Sequence, residues 1–208
     1  MGFFMKIICV GLNYELHIED LGWKKPKMPV IFLKPDSSIL PRKNPFIIPP
    51  FTDRVEYEVE VLVKINKVGK YISEKFAHKY YDEIGLGIDF CARDLQFKLK
   101  DAGHPWEIAK GFDGSAVISE KFLPKEQFED LQNLNFRLEK NGEAVQMGNT
   151  SDMLVGIDRL IEHISQYYTL KKGDVIFTGT PAGIGRVDAG DVLQGFLEDE
   201  KMIDIKIR

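Results

Sequence analysis

Cysteine is scarce in these 208 residues: Cys9 and Cys91 are the only two. Two cysteines cannot build the disulfide framework of a small secreted domain. Both lie in apolar, strand-like contexts, where a small buried residue is expected rather than a nucleophile. Long apolar runs are missing too, and none approaches the ~20 residues of a membrane-spanning helix. Basic residues are not in surplus, since 28 Lys and Arg face 32 Asp and Glu for a formal net charge of −4. With the signs interspersed, no basic stripe is left for nucleic acid, and small molecules are the expected ligands. Met1 to Phe4 carries no basic n-region, unlike a secretory signal, so a cytoplasmic location is the default expectation. Repeats and low-complexity tracts are absent. The length suits one domain over residues 1–208, and 44% hydrophobic with 29% charged residues suits a soluble globular chain.

What the chain has instead is a row of acids. Glu56-Tyr57-Glu58-Val59-Glu60 runs on into Val61, Leu62 and Val63, with β-branched and aromatic residues alternating as a half-buried strand requires. The alternation predicts Glu56, Glu58 and Glu60 on one face and Tyr57, Val59, Val61 and Val63 on the other. Carboxylates two residues apart on a strand are about 6.6–6.8 Å apart along the backbone, close enough for their side chains to converge on one ion. Without a cation the row repels itself, and glutamate is depleted in strands. A solvated outer face and a metal site both fit this pattern taken alone.

Around it the chain reads as short strands and a few helices. Strands are predicted at Met5 to Gly11, Val30 to Lys34, Ile84 to Phe90, Val175 to Phe177, Val192 to Leu197 and Met202 to Ile207. Asn141-Gly142, between Leu134 to Leu138 and Ala144 to Met147, is the strongest hairpin signal. Helices are predicted from Tyr14 to Leu21 with Asn13 as cap, and from Ser73 to about Asp82 with Phe76, Ala77, Tyr80 and Tyr81 as a core stripe. Two more are predicted from Ala92 to Ala102 and from Ile157 to Tyr168.

Several side chains are candidates for chemistry. His17 is followed by Glu19 and Asp20; the i to i+3 spacing suits a base with an orienting carboxylate, and equally an ordinary charged surface. Asp89, late in an apolar strand, wants a cation or donors. Lys110 among apolar neighbours reads as a snorkelling lysine or an anion contact. Trp23 to Pro29 (WKKPKMP) is a basic, proline-broken loop, a candidate cover over an acidic pocket. Thr178 to Gly185 (TGTPAGIG) lacks the lysine of a Walker A loop, yet its backbone N–H groups can form an anion-binding concavity.

In their order and spacing these pieces resemble the fumarylacetoacetate hydrolase family, and within it the small single-domain members similar to acylpyruvate hydrolases and oxaloacetate decarboxylases. The resemblance covers nearly the whole chain and rests on Asn13-Tyr14 with His17, FLKP (Phe32 to Pro35), EYEVE (Glu56 to Glu60), DFCARDLQ (Asp89 to Gln96), PWEIAK ending at Lys110, and TGTPAGIG. It implies a mixed α+β, predominantly β fold, a β-sandwich roll with a few short helices, usually a homodimer. It implies that Glu58, Glu60 and Asp89 bind a divalent ion and that Glu56 does not. All-oxygen, anionic ligation suits Mg2+, with Mn2+ or Ca2+ as substitutes. His17 matches the family's base and Lys110 its lysine. Asp20 stands where the supporting acid would be glutamate, with Glu19 beside it, and Leu12 stands where many members have arginine. Asn13, Tyr14, Lys34, Arg93, Gln96 and Thr180 match positions that line the substrate pocket.

The resemblance thus implies a metal-dependent hydrolase cleaving the C–C bond of a 3-acylpyruvate, such as acetylpyruvate or fumarylpyruvate. His17 would take a proton from water, and Lys110 with Gln96 would stabilise the oxyanion. The runner-up is decarboxylation of oxaloacetate or a keto–enol or double-bond isomerisation of a 2-oxo acid at the same site. It needs no base placed for water, so the Asp20 departure favours it slightly. A non-catalytic binding protein of the same fold would show a broken ligand set, and here all three carboxylates are present.

Overall fold

A computed structural model describes residues 5–208; Met1 to Phe4, read above as no secretory signal, lie outside the described residues. In chain order the strands are β1 (Ile7–Gly11), β2 (Val30–Lys34), β3 (Val55–Tyr57), β4 (Val59–Ile65), β5 (Tyr81–Asp89), β6 (Cys91–Ala92), β7 (Ala116–Ile118) and β8 (Leu123–Pro124). They continue as β9 (Asn135–Lys140), β10 (Glu143–Asn149), β11 (Val175–Phe177), β12 (Gly185–Arg186), β13 (Val192–Leu197) and β14 (Glu200–Lys206). The helices are α1 (Glu15–Asp20), α2 (Glu74–Ala77), α3 (Arg93–Ala102), α4 (Glu107–Lys110) and α5 (Ile157–Tyr167). The fold is mixed α+β and mostly β, as the sequence implies. Among the described residues no helix is long and apolar enough to cross a membrane.

The largest sheet runs β2-β1-β11-β4-β5-β7, with β8 also on β5. A second sheet runs β10-β9-β13-β14, and a small third one runs β12-β3-β6. Only the β1–β11 pair in the large sheet is parallel; its other pairs are antiparallel. Val59, Val61 and Val63 point from β4 into the main core, where they join Leu138, Leu193 and Ile203 from the second sheet. The Asn141-Gly142 hairpin forms as expected between β9 and β10, with both residues at positive φ (55° and 85°), the signature of a type I′ turn.

The row of acids is not one strand. The chain breaks at Glu58, so that β3 joins the small sheet while β4 enters the large one. The break is held from outside: the Val59 N–H donates to Gln146 Oε1 at 2.9 Å, and the Glu58 carbonyl accepts from the Asp89 N–H at 2.8 Å. Two helix expectations also change. α2 ends at Ala77, because Tyr81 leaves the helical pattern to pair with Ile65 in the large sheet. Phe76 is consequently exposed rather than core, flanked by Lys75 and Lys79. Asn13 does not cap α1; Tyr14 occupies the N-cap position, and the Asn13 side chain is used elsewhere.

Candidate active site

The break at Glu58 is what gathers the acids. β4 pairs with β5 so that Val59 faces Ile88, and this sets Asp89 beside Glu58 across the two strands. Glu60 follows one turn of the pleat later on β4. Carboxylate oxygens of Glu58, Glu60 and Asp89 all lie within 4.8 Å of one another, and all three residues are buried. Like charges at that distance repel strongly in a dry interior unless cations answer them.

Three buried cations do so in part. Lys110, on the last residue of α4, donates to Glu58 Oε2 at 2.6 Å and to Asp89 Oδ2 at 3.0 Å. It is 2% exposed, so it is not the snorkelling lysine that its apolar neighbours suggest. Arg93, opening α3, donates from Nε to Glu56 Oε2 at 2.6 Å, and its other nitrogens bond Glu58 and Gln96. Glu56 is therefore a buried clamp on Arg93, also paired with the half-exposed Arg54. Lys34 Nζ lies 2.7 Å from Asp89 Oδ1 but out of line for a hydrogen bond, because its donors go to Ser115 Oγ (3.0 Å) and to main-chain carbonyls. Asp89 Oδ1 is left as a buried acceptor without a hydrogen bond.

Among the described residues no cation lies within 4.0 Å of the Glu60 carboxylate. It accepts a hydrogen bond from the Gly179 N–H at 2.6 Å. Burial, then the Asp89 and Glu58 charges, push its carboxyl well above the usual carboxylate range, against a weaker downward pull from the Gly179 bond and the more distant Lys110. For Glu58, burial pulls upward too, but Lys110 and Arg93 outweigh it and hold the group at about 2. With all four carboxyls ionised, Glu56, Glu58, Glu60 and Asp89 would carry one more buried charge than Lys34, Arg93 and Lys110 return. An excess negative charge, an orphaned carboxylate oxygen and an all-oxygen donor set fit a hard divalent cation. Lys110 stays charged: burial favours its neutral form, but Asp89 and Glu58 raise its pKa above the ordinary value.

A fumarylacetoacetate hydrolase C-terminal family profile matches residues 6–207. The chain belongs to the fumarylacetoacetate hydrolase family. An oxaloacetate tautomerase of Escherichia coli K12 is 41% identical over 189 residues, 90% of this chain and 86% of that one. An oxaloacetate tautomerase of Arabidopsis thaliana is 43% identical over 185 residues, 89% of this chain and 82% of that one. The crystal structure of fumarylpyruvate hydrolase from Pseudomonas aeruginosa in complex with Mn2+ and pyruvate superposes with a TM-score of 0.91, at 28% identity, over 98% of this chain and 89% of that one. Family membership accounts for the motif order noted in the sequence.

The cleft of this family member is lined by His17, Arg93, Gln96, Lys110 and Thr180 together with the three acids. Three residues expected there are elsewhere. Asn13 spends its whole amide on Val155 and the Thr178 carbonyl, Tyr14 packs edge-on against Phe136, and Lys34 stands behind Asp89. Asn13 thereby seats the glycine loop: Gly179, at φ 105°, lies so close that a Cβ would come within 2.8 Å of Asn13 Cβ. The loop's Gly179 N–H serves the carboxylate of Glu60 rather than a foreign anion. Trp23 of the basic loop lines the cleft, and Lys25 of the same loop pairs with Glu15 on α1 at 3.2 Å.

His17 is 4% exposed, and its Nδ1 has no hydrogen-bond partner. Neither expected helper pairs with it: Glu19 and Asp20 are exposed, and Asp20 Oδ2 accepts instead from the Gly183 N–H at 3.4 Å. Burial lowers the His17 pKa from its ordinary 6.5, outweighing the nearby Glu58. The cysteines are inert structural residues; burial raises Cys91 to about 11.

Gln146 is the residue that sequence reasoning misses. It is 1% exposed, accepts from the Val59 N–H and donates to Thr180 Oγ1 and the Pro181 carbonyl, each at 3.0 Å. One side chain from the second sheet therefore fixes both the acid-bearing strand and the glycine loop. A strand register shift between Ala144 and Gln146 turns it inward, and simple alternation from the hairpin cannot reveal that. Gln146→Leu should cost about 1–3 kcal/mol by leaving the Val59 N–H unpaired, read as a lower urea midpoint at unchanged slope.

Proposed function

We propose that this protein is a divalent-cation-dependent tautomerase of 2-oxo acids, interconverting the keto and enol forms of oxaloacetate or a close analogue. What carries the reading is the pair of oxaloacetate tautomerases that share 41% and 43% identity over about nine-tenths of this chain. The unpartnered His17 supports it as well. Hydrolysis asks for a base held toward a water molecule, whereas a proton shift within the substrate asks only for a base near the acidic carbon.

Mg2+, with Mn2+ or Ca2+ as substitutes, would be held by Glu58, Glu60 and Asp89, and when bound supplies positive charge for the carboxylate and keto oxygens of the substrate. His17, neutral at physiological pH, takes the proton from C3. Lys110, kept charged by the acids around it, faces the oxygen that gains electron density and can return a proton there. Gln96, steered by Arg93, and Thr180, tied to Val59, line the remaining polar wall.

The test is the decay of enol oxaloacetate followed by its ultraviolet absorbance, with and without Mg2+, beside assays of acetylpyruvate and fumarylpyruvate cleavage and of carbon dioxide release. Accelerated decay that EDTA abolishes and Mg2+ restores is expected. Cleavage of either diketo acid without faster tautomerisation would replace this reading by the hydrolase one, which the fumarylpyruvate hydrolase neighbour favours.

A further inference from the structure

Val59 stands between two of the three acids, and both of its main-chain polar groups are held by side chains. β11 pairs with β4 only as far as Phe177 opposite Leu62. Beyond that point hydroxyls and an amide take over this edge of β4. The Thr178 hydroxyl donates to the Val61 carbonyl at 2.8 Å, and the Thr180 hydroxyl donates to the Val59 carbonyl at 2.9 Å. The Val59 N–H donates to Gln146 Oε1 at 2.9 Å, and Gln146 Nε2 donates to Thr180 Oγ1 at 3.0 Å, which closes a ring. The directions in this ring admit no alternative. An N–H only donates and a carbonyl only accepts, so the Gln146 amide must turn its oxygen to Val59 and its nitrogen to Thr180 and the Pro181 carbonyl. Thr180, receiving from Gln146, has its own proton left for the Val59 carbonyl. Gln146 and Thr180 are both buried, so a lost bond here is not replaced by bulk water.

We infer that Gln146 is a positioning residue for the cation: by holding Val59 it keeps the carboxylates of Glu58 and Glu60 at the spacing a small ion demands, and so favours Mg2+ over Ca2+. The inference rests on the proposed cation site and adds to it a residue of the second sheet that does not line the cleft. Glu58 is fixed independently, on Arg93 and Lys110. Both anchors of Glu60 depend on the ring. Its main chain follows Val59, and its carboxylate accepts from Gly179, the residue before Thr180. The two carboxylates lie within 4.8 Å of each other and push apart when both are charged. With the ring opened, that repulsion moves Glu60 and widens the site. Mg2+ demands a nearly ideal octahedron with oxygens at about 2.0–2.1 Å, whereas Ca2+ accepts about 2.3–2.6 Å and a variable ligand number. The smaller ion therefore loses most.

The experiment titrates Mg2+ and Ca2+ separately into the metal-free full chain by calorimetry, comparing the wild type with Gln146→Met, which keeps the reach of the side chain and removes its hydrogen bonds. Mg2+ affinity is expected to fall by about 10–100-fold, the range of an outer-shell partner. Ca2+ affinity should fall by less, so that the Mg2+ to Ca2+ affinity ratio drops at least about fivefold. Partial unfolding lowers the number of sites rather than the ratio of the two constants, so a merely structural role does not imitate this result. Thr180→Val opens the ring at the Val59 carbonyl while the Gln146 bond to the Val59 N–H persists. It should move the ratio the same way by a smaller factor, and it decides the matter if Gln146→Met does not fold. An unchanged ratio, whether both affinities fall equally or neither falls, overturns the inference while leaving the cation site intact. A wild type that binds neither ion overturns the cation reading and the inference with it.

Discussion

His17→Ala is expected to lower kcat/KM for tautomerisation by about 10²–10⁴-fold, the usual contribution of a positioned general base, while Mg2+ affinity measured by calorimetry stays unchanged. The separation is the informative part, because His17 lines the cleft but belongs to α1, away from the strands that carry the acids. The wild-type pH profile tests the same assignment. Burial lowers the His17 pKa below 6.5, so the neutral base persists into mildly acid solution. The acid limb of log kcat/KM should therefore fall below pH 6.5, with a plateau at neutral pH, and this limb should vanish in His17→Ala. The stability linkage runs in the same direction. Below pH 6.5 the unfolded chain protonates this histidine before the folded protein does, so His17 costs stability as the pH falls through that window. A limb centred above pH 7 would mean that another group, or an oriented carboxylate partner, sets the base.

How much of this was legible in the sequence depends on the range of the interaction. The ladder strands could be read from their own alternation, and the Asn141-Gly142 turn announced itself because only a few residue types tolerate two successive positive φ angles. What could not be read was decided by groups remote in sequence. The strand break at Glu58 depends on Gln146, nearly ninety positions away, and α2 stops at Ala77 because pairing with Ile65 wins over helix propensity. The site shows the same division. The acids Glu58, Glu60 and Asp89 were named from motifs and do converge. Asn13 and Lys34, named in the same way, turn out to hold the glycine loop and Asp89 in place, a distinction that resides in hydrogen-bond partners. The pairing of His17 with Asp20 rests on helical spacing and on the family resemblance. Such spacing puts two residues on one face but does not make either reach the other, and here Asp20 is taken by Gly183.

Glu58 and Glu60 should respond oppositely when neutralised, and this is the sharpest test of the metal site. In the metal-free protein Glu58 has its two oxygens on Arg93 and Lys110, so Glu58→Gln takes one carboxylate from each cation while Glu56 still pairs with Arg93 and Asp89 with Lys110, and it should cost about 1–3 kcal/mol in urea unfolding. Glu60 has no such partner. Glu60→Gln keeps the side chain's size and leaves an oxygen to accept from Gly179, while it removes a charge that Asp89 and Glu58 repel. The metal-free variant should therefore melt at or above the wild-type temperature. Its Mg2+ affinity should nevertheless fall by more than about 100-fold, since loss of a direct ligand exceeds the ~10–100-fold typical of an outer-shell partner. The wild type should gain thermal stability with Mg2+ in proportion to its occupancy, and Glu60→Gln should gain none at the same concentration. A Glu60 retained only for structure would give the reverse, a lower melting temperature with Mg2+ binding intact. Because a buried charge that weakens the empty protein is kept only where something else needs it, the predicted combination of higher stability and lost affinity would mark Glu60 as a residue held for the cation.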